Sequence, residues 1–296
     1  MNDSVTPLHS DHSRKFEYNR YVYPVLSRRS KGLSLGVNLN PDKICNFDCI
    51  YCQVNRRVEA ETTFVDLPGV LRELEDLLSL IVSGEIYDHP KFSDVPDHLK
   101  RLNDIAFSGD GEPTTYRNFD DIISQVAALK EKHQLSETKL VLITNASMFH
   151  RPVIKNALEL MDANNGEVWA KLDAGTQEYY HLIERTKIPF QQILDNIRDA
   201  AKIRPLVIQS LFMRVNGHPP EDAEIEAYCE RLNEMIASDG QLKLIQIYTV
   251  ARSPAESYVA SLNDEEVDQI VATVRERTGL IVEGYYGRPT EPQSTT

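Results

Sequence analysis

The chain has 296 residues, 41 % of them hydrophobic and 26 % charged. That composition excludes disordered and fibrous classes, and the length suits one α/β barrel of roughly 250 residues or two ordinary domains. A formal net charge of −13 argues against a general nucleic-acid binder, which needs a cationic footprint.

The first sixteen residues read as a polar arm, and the first fifteen lack the apolar core of a secretory signal. The charge is uneven. Residues 1–57 carry nine Lys/Arg (Arg14, Lys15, Arg20, Arg28, Arg29, Lys31, Lys43, Arg56, Arg57) against five Asp/Glu. This basic edge is the one feature that favours a polyanion such as tRNA. Leu33–Asn40 reads as a strand ending in Asn40-Pro41 turn chemistry. A helix is expected over 67–83, where Leu71, Leu74, Leu77, Leu78 and Ile81 recur at three-four spacing. The alternation then continues: strand 104–108, helix 119–133, strand 139–144, helix 151–162, strand 167–172, helix 189–203. It goes on through strand 205–213, helix 220–237, strand 242–249, a helix over 263–278 capped by Asn263, and a last strand over 280–284. Strands alternating with helices imply a parallel sheet wound in one hand. The expected domain is one core over 17–287, between the arm 1–16 and a polar tail 288–296. No apolar run reaches the roughly 18 residues of a membrane helix, so a soluble, cytoplasmic protein with no membrane partner is expected.

In such folds chemistry gathers at the C-terminal ends of the strands. Each expected strand delivers unusual polar residues there. The first runs into a loop with Cys45, Cys49 and Cys52, and the second into Gly109-Asp110-Gly111-Glu112-Pro113-Thr114. The third ends at Thr144-Asn145 and the fourth at Lys171-Leu172-Asp173-Ala174-Gly175. The fifth holds Gln209 and Ser210 and leads to Arg214 and Asn216, and the sixth ends at Tyr248-Thr249 with Arg252 beyond. One shared site is expected. The cysteine spacing is C-x₃-C-x₂-C, and soft thiolates suit iron–sulfur clusters or zinc. A zinc site would need completion by Cys229 or a histidine, yet no second cysteine pair exists and no histidine has ligand spacing. Ile44, Phe47 and Ile50 can shield the sulfurs, while Trp169 reads as core.

Cys45-Asn-Phe-Asp-Cys49-Ile-Tyr-Cys52 resembles the signature of the radical S-adenosylmethionine (SAM) superfamily, and GDGEPT resembles its glycine-rich element. Asp110 stands where that element usually has a small residue. The GEPT, KLDAG and YT-x-x-R elements are similar to the branch related to the tRNA-wyosine synthase core. The resemblance covers about residues 30–285 and implies a partial (βα)₆ TIM-like barrel. It implies that Cys45, Cys49 and Cys52 hold three irons of a [4Fe–4S] cluster, and that SAM chelates the fourth. One electron then cleaves the sulfonium bond to give methionine and a 5′-deoxyadenosyl radical, which abstracts hydrogen from a substrate. Tyr51 occupies the aromatic position that contacts adenine. The resemblance further implies that Gly109 and Gly111 let the backbone approach the SAM amino group, with Glu112 as an expected acceptor there. Lys171 and Asp173 share a strand face and hold ribose hydroxyls or the SAM carboxylate, with a structural ion pair as the other reading. Asn145 is a site residue or a helix cap. Ser210, Arg214, Tyr248 and Arg252 complete the expected cofactor set. No cysteine precedes Cys45, so a single cluster is expected. The mechanism requires an electron donor such as ferredoxin or flavodoxin. The alternative is a non-catalytic iron–sulfur or zinc protein, which leaves GDGEPT and KLDAG unexplained.

Overall fold

Strand and helix alternate as expected in the computed structural model of the chain, which describes residues 16–27, 31–56, 58–60, 62, 64–252 and 254–287. Most of the arm 1–16, the tail 288–296 and the basic residues Arg14, Lys15, Arg28, Arg29 and Arg57 lie outside the described residues. The elements are β1 (Val22–Ser27), β2 (Gly32–Val37), α1 (Leu67–Ser83), β3 (Leu102–Phe107), α2 (Phe119–Lys132), β4 (Lys139–Thr144) and α3 (Pro152–Asp162). They continue with β5 (Gly166–Lys171), α4 (Gln177–Glu184), α5 (Phe190–Ile203), β6 (Leu206–Leu211), β7 (Arg214–Val215), α6 (Asp222–Ala237), β8 (Leu242–Tyr248), β9 (Val259–Ala260), α7 (Asp264–Thr278) and β10 (Val282–Tyr285).

Packing divides the chain into two units. The first takes the residues up to Cys45, Val58–Thr144 and Met148–Glu167, and the second takes Asn46–Arg57, Asn145–Ser147 and the residues from Val168 onward. In the first, β2, β3 and β4 run parallel, and β1 lies antiparallel on the free edge of β2. Strand β1 was not expected from the sequence. Its Pro24 lacks a ladder donor, which weakens the strand signal and confines such a strand to an edge. The core of this unit is β2 and β3 packed by α1 and α2, with Phe107 and Phe119 edge to face at 5.6 Å. Helix α1 begins with Pro68 in its first turn and stops at Gly84, whose φ of 86° only glycine adopts without strain.

In the second unit β5, β6, β8 and β10 run parallel, while β7 and β9 form a short antiparallel pair. All six residues of β6 are buried, as in a parallel strand covered on both faces. Asn263 caps α7 in a reciprocal capping box with Glu266, as expected. Trp169 is core, also as expected. Helix α4 was missed. It is eight residues long, too short for a helical period to stand out, and is started by Thr176 accepting from Tyr179 N–H. Among the described residues no helix is long and apolar enough to cross a membrane.

Candidate active site

The loop Asn46–Arg56 is held by its neighbours within the second unit at almost every turn. The end of α4 provides most of the bracing. Asp48 N–H donates to Glu184 O at 3.1 Å and Ile50 N–H to Ile183 O at 2.9 Å. Arg185 Nε donates to Asp48 O at 2.7 Å, and Thr186 Oγ1 donates to Asn46 O at 3.0 Å. On another side, Asn145 Nδ2 donates to Asn46 Oδ1 at 2.9 Å, and Asn46 Nδ2 donates to Ser147 Oγ at 2.7 Å. Asn145 is therefore a loop anchor. It is not the cap of α3, which begins only at Pro152. Phe47 and Ile50 are buried as expected, but Ile44 is 68 % exposed and shields nothing. Its N–H is tied to Asp42 Oδ1 in a tight turn, and the side chain points to solvent.

Cys45, Cys49 and Cys52 are half-buried and form no disulfide. Cys52 N–H donates to Cys49 O at 3.0 Å, so these two lie in one turn. On the braced loop of the second unit, Cys49 and Cys52 are soft donors without a disulfide, the donor type that thiolate ligation of an iron–sulfur cluster uses. Among the described residues no three Cys, His, Asp or Glu side chains converge as they would on a single metal ion. Cys229 is buried in α6.

A chain of buried polar groups continues from this loop. Tyr51 OH donates to Asp173 Oδ2 at 2.5 Å and lies 3.1 Å from Glu184 Oε1. Cys49 Sγ donates to Glu184 Oε2 at 2.7 Å. Burial, with Asp173 beside it, pushes Glu184 well above the usual carboxylate range. Burial likewise raises the Cys49 thiol, and the nearby Glu184 adds to the effect. Asp173 Oδ1 accepts from Leu211 N–H at 2.7 Å at the end of β6. Lys171 Nζ pairs with Asp173 Oδ2 at 2.9 Å and donates to Tyr248 OH at 2.8 Å. It also lies over the Tyr51 and Tyr248 rings, at 5.0 and 5.3 Å. Burial alone would lower Lys171, but Asp173 and its neighbours hold it above its ordinary value, so it stays cationic. Tyr51, Lys171, Asp173 and Tyr248 thus meet as the sequence anticipates. Lys171 and Asp173 meet as an ion pair.

The KLDAG segment is bolted to α6. Glu224 accepts from Gly175 N–H at 2.5 Å and from Thr176 Oγ1 at 2.5 Å. A Cβ on Gly175 would sit 2.1 Å from Tyr228 N, so only glycine allows this approach. Sequence reasoning missed Glu184 and Glu224. An acid in the first turn of a helix, as Glu224 is, looks like an ordinary dipole partner. The other expected residues sit differently. Ser210 is fully buried and spends its hydroxyl on Leu172 O and Tyr228 OH, each at 2.6 Å. Arg214 pairs with Glu266 and donates to Gly217 O at 2.7 Å. Arg252 is exposed.

Within the first unit, the GDGEPT loop is organised by Asn38. Its Oδ1 accepts from Asn40 N–H at 3.0 Å and Asp110 N–H at 3.1 Å, and its Nδ2 donates to Asp110 Oδ2 at 2.6 Å. That last bond gives Asp110 its reason for standing where a small residue is usual. A Cβ on Gly109 would lie 2.2 Å from Asn38 Oδ1, and one on Gly111 would lie 2.2 Å from Ile44 O. Both glycines are thus required by the packing of the protein itself. Glu112 Oε1 accepts from Thr114 N–H at 3.1 Å and from Thr144 Oγ1 at 2.6 Å, which ties the loop to β4.

The sequence matches the model of the radical SAM superfamily over residues 39–232, which includes all three loop cysteines. The chain belongs to the radical SAM superfamily. It is 23 % identical over 261 residues to a Brachyspira hyodysenteriae protein described as GTPase Obg, covering 86 % of this chain and 33 % of that one. It is 26 % identical over 267 residues to the Methanocaldococcus jannaschii UPF0026 protein MJ1312, covering 86 % and 71 %. A Helicobacter pylori J99 UPF0026 protein is 30 % identical over 140 residues, or 47 % and 39 % of the two chains. The chain spans 33–39 % of the length of the first of these curated relatives. Among solved structures, Streptococcus suis SuiB bound to S-adenosylmethionine superposes with a TM-score of 0.56 at 11 % identity, covering 88 % of this chain and 52 % of SuiB. TYW1 with a lysine-pyruvate adduct bound superposes with a TM-score of 0.52 at 16 % identity, covering 83 % and 74 %. These likenesses show the fold, the partial α/β barrel expected. Membership of this superfamily implies a [4Fe–4S] cluster and SAM.

Proposed function

We propose that this enzyme reductively cleaves SAM, with a single [4Fe–4S] cluster held by Cys45, Cys49 and Cys52. The observation that carries the reading is the braced loop after Cys45, with cysteines at C-x₃-C-x₂-C that form no disulfide, inside the matched family region. When bound, the cluster and SAM supply one-electron chemistry, giving methionine and a 5′-deoxyadenosyl radical that takes hydrogen from a substrate. The protein's part is positional. Helix α4 and Asn145 fix the loop that offers the sulfurs. Asp173, itself held by Leu211 N–H and Lys171, orients the Tyr51 hydroxyl beside the loop. Because Asp173 already meets the charge of Lys171, a polar ligand arriving here meets an oriented ion pair with two tyrosine hydroxyls. Such a preset group of dipoles binds hydroxyls and a carboxylate without reorganising. Gly109, Gly111, Glu112, Asn145, Ser210, Arg214, Tyr248 and Arg252 remain the other proposed cofactor residues, with Ser210 and Arg214 acting through the backbone they fix.

The chemistry asks for a one-electron donor of the ferredoxin or flavodoxin class, and cysteines without disulfides favour a reducing compartment such as the cytoplasm. The test is anaerobic. The protein is reconstituted with iron and sulfide, reduced with dithionite, given SAM, and assayed for 5′-deoxyadenosine, with Cys45→Ala as control. Product that depends on Cys45 supports the reading. A well-formed cluster that neither binds SAM nor yields product refutes it, and points to a structural or electron-transfer cluster instead.

A further inference from the structure

Arg56 lies four residues after the last loop cysteine, and in the sequence it belongs to the basic edge that could touch a polyanion. The structure turns it inward. Its side chain is half-buried, and Nη2 donates to Cys52 Sγ at 3.6 Å, a normal length for a hydrogen bond to sulfur. The backbone of Cys52 is fixed on both sides. Its N–H goes to Cys49 O at 3.0 Å, and its carbonyl accepts from Ala255 N–H at 2.9 Å. The sulfur is thereby held toward the guanidinium. Cys49 has the opposite surroundings, since its sulfur faces the carboxyl of Glu184.

From this geometry we propose that Arg56 is a positioning residue that raises the reduction potential of the cluster through its hydrogen bond to Cys52 Sγ. The inference rests on the reading above, in which Cys52 is a ligand. On reduction one electron enters and spreads onto the sulfurs, with no bond broken and no proton moved. A fixed cation donating to one of those sulfurs stabilises the more negative state over the oxidised one. An arginine suits this better than a lysine, because its flat fork keeps the charge and can direct one N–H while the rest of the group is held elsewhere.

The test uses the reconstituted holoenzyme without SAM, titrated against redox mediators and followed by electron paramagnetic resonance of the reduced cluster. In Arg56→Gln the ratio of reduced to oxidised cluster, read at the wild-type midpoint, falls about tenfold, the worth of one charge-assisted hydrogen bond. That corresponds to a midpoint about 59 mV lower for a one-electron couple. Arg56→Lys, which keeps the charge but not the fork, titrates between the two. A second readout is the weak nitrogen coupling to the reduced cluster in protein labelled with ¹⁵N-arginine, present in the wild type and absent in Arg56→Gln. Wild-type midpoints in both variants overturn the proposal. So does a Gln variant that loses its cluster while the Lys variant titrates like the wild type, since Arg56 would then serve folding alone. A wild-type protein that takes up no cluster overturns the functional reading together with this one. Normal Cys45-dependent turnover with unmoved midpoints overturns only this one.

Discussion

Replacing Lys171 by Met removes the one cation that, among the described residues, pairs with Asp173, whose side chain is fully buried. What remains for the carboxylate is Leu211 N–H at 2.7 Å and the Tyr51 hydroxyl at 2.5 Å. Breaking a buried pair from one side costs about 3–5 kcal/mol, because a charge is left without its partner. At about 2–3 °C per kcal/mol for a chain of this size, the apo-protein should melt roughly 6–15 °C lower. The reverse change, Asp173→Asn, should cost less, about 1–3 kcal/mol. Lys171 keeps the Tyr248 hydroxyl and two ring faces, and its side chain is 19 % exposed, so it can reach toward water. The double variant removes both charges and should be more stable than the sum of the two losses, with a coupling of about 2 kcal/mol. The assay is urea unfolding of the four apo-proteins, read as a double-mutant cycle. Additive losses within about 0.5 kcal/mol refute the reasoning, since they would mean that the two charges do not depend on each other.

Gly111→Ala places a Cβ 2.2 Å from Ile44 O, immediately before Cys45. Iron per chain and SAM affinity should both fall, and unchanged values for both would show that the Gly111 contact does not position Cys45. Gly175→Ala meets the backbone of α6 at 2.1 Å and should destabilise by about 1–3 kcal/mol in urea, as overpacking does. Cys229 is raised to about 11 by burial, with Glu226 adding to it, so native protein at pH 8 should leave it unalkylated by iodoacetamide while urea exposes it. Burial raises Glu224 above its ordinary 4.5 despite the bonds from Thr176 and Gly175. The folded state then holds its proton to higher pH than the unfolded state. The stability due to this group is full below the unfolded value and is lost as pH rises through the folded one. The advantage of wild type over Glu224→Gln should therefore shrink as pH rises above about 4.5. A constant difference in unfolding free energy across that window would count against it.

The sequence shows most of this fold because its helices are long and periodic. Leu74, Leu77, Leu78 and Ile81 mark α1, and Asn263 marks the start of α7 at the residue where it begins. What escaped was short or internally contradictory. Strand β1 carries a proline, and α4 offers eight residues with no full repeat. At the site, what was legible is that Tyr51, Lys171 and Asp173 come together. The triad, Tyr51, Lys171 and Asp173 all fall in runs whose order fixes which strand end they occupy. Glu184 and Glu224 were not legible. Each is a single acid on a helix, and only the fold shows that it is buried against main-chain donors or a thiol.

Those hidden acids bear on how the site is built. Buried ionisable groups are costly, and an apolar core of the same size would hold the fold at least as well. Yet Cys49, Tyr51, Lys171, Asp173 and Glu184 lie in one continuous set of contacts, beginning at Cys49, a proposed cluster ligand, and ending at the Tyr248 hydroxyl. Among the described residues, ion pairs such as Arg277 with Glu226 and Lys132 with Glu75 lie at the surface. A concentration of charge beneath the cysteine loop is what a site needs when its ligands are themselves charged and must be met by groups already in place. The same helix end that supplies Glu184 also grips the loop through the Glu184 and Ile183 carbonyls and the Arg185 side chain. One short element thus fixes both where the sulfurs stand and what charge surrounds them, and a change in its packing alters the two together.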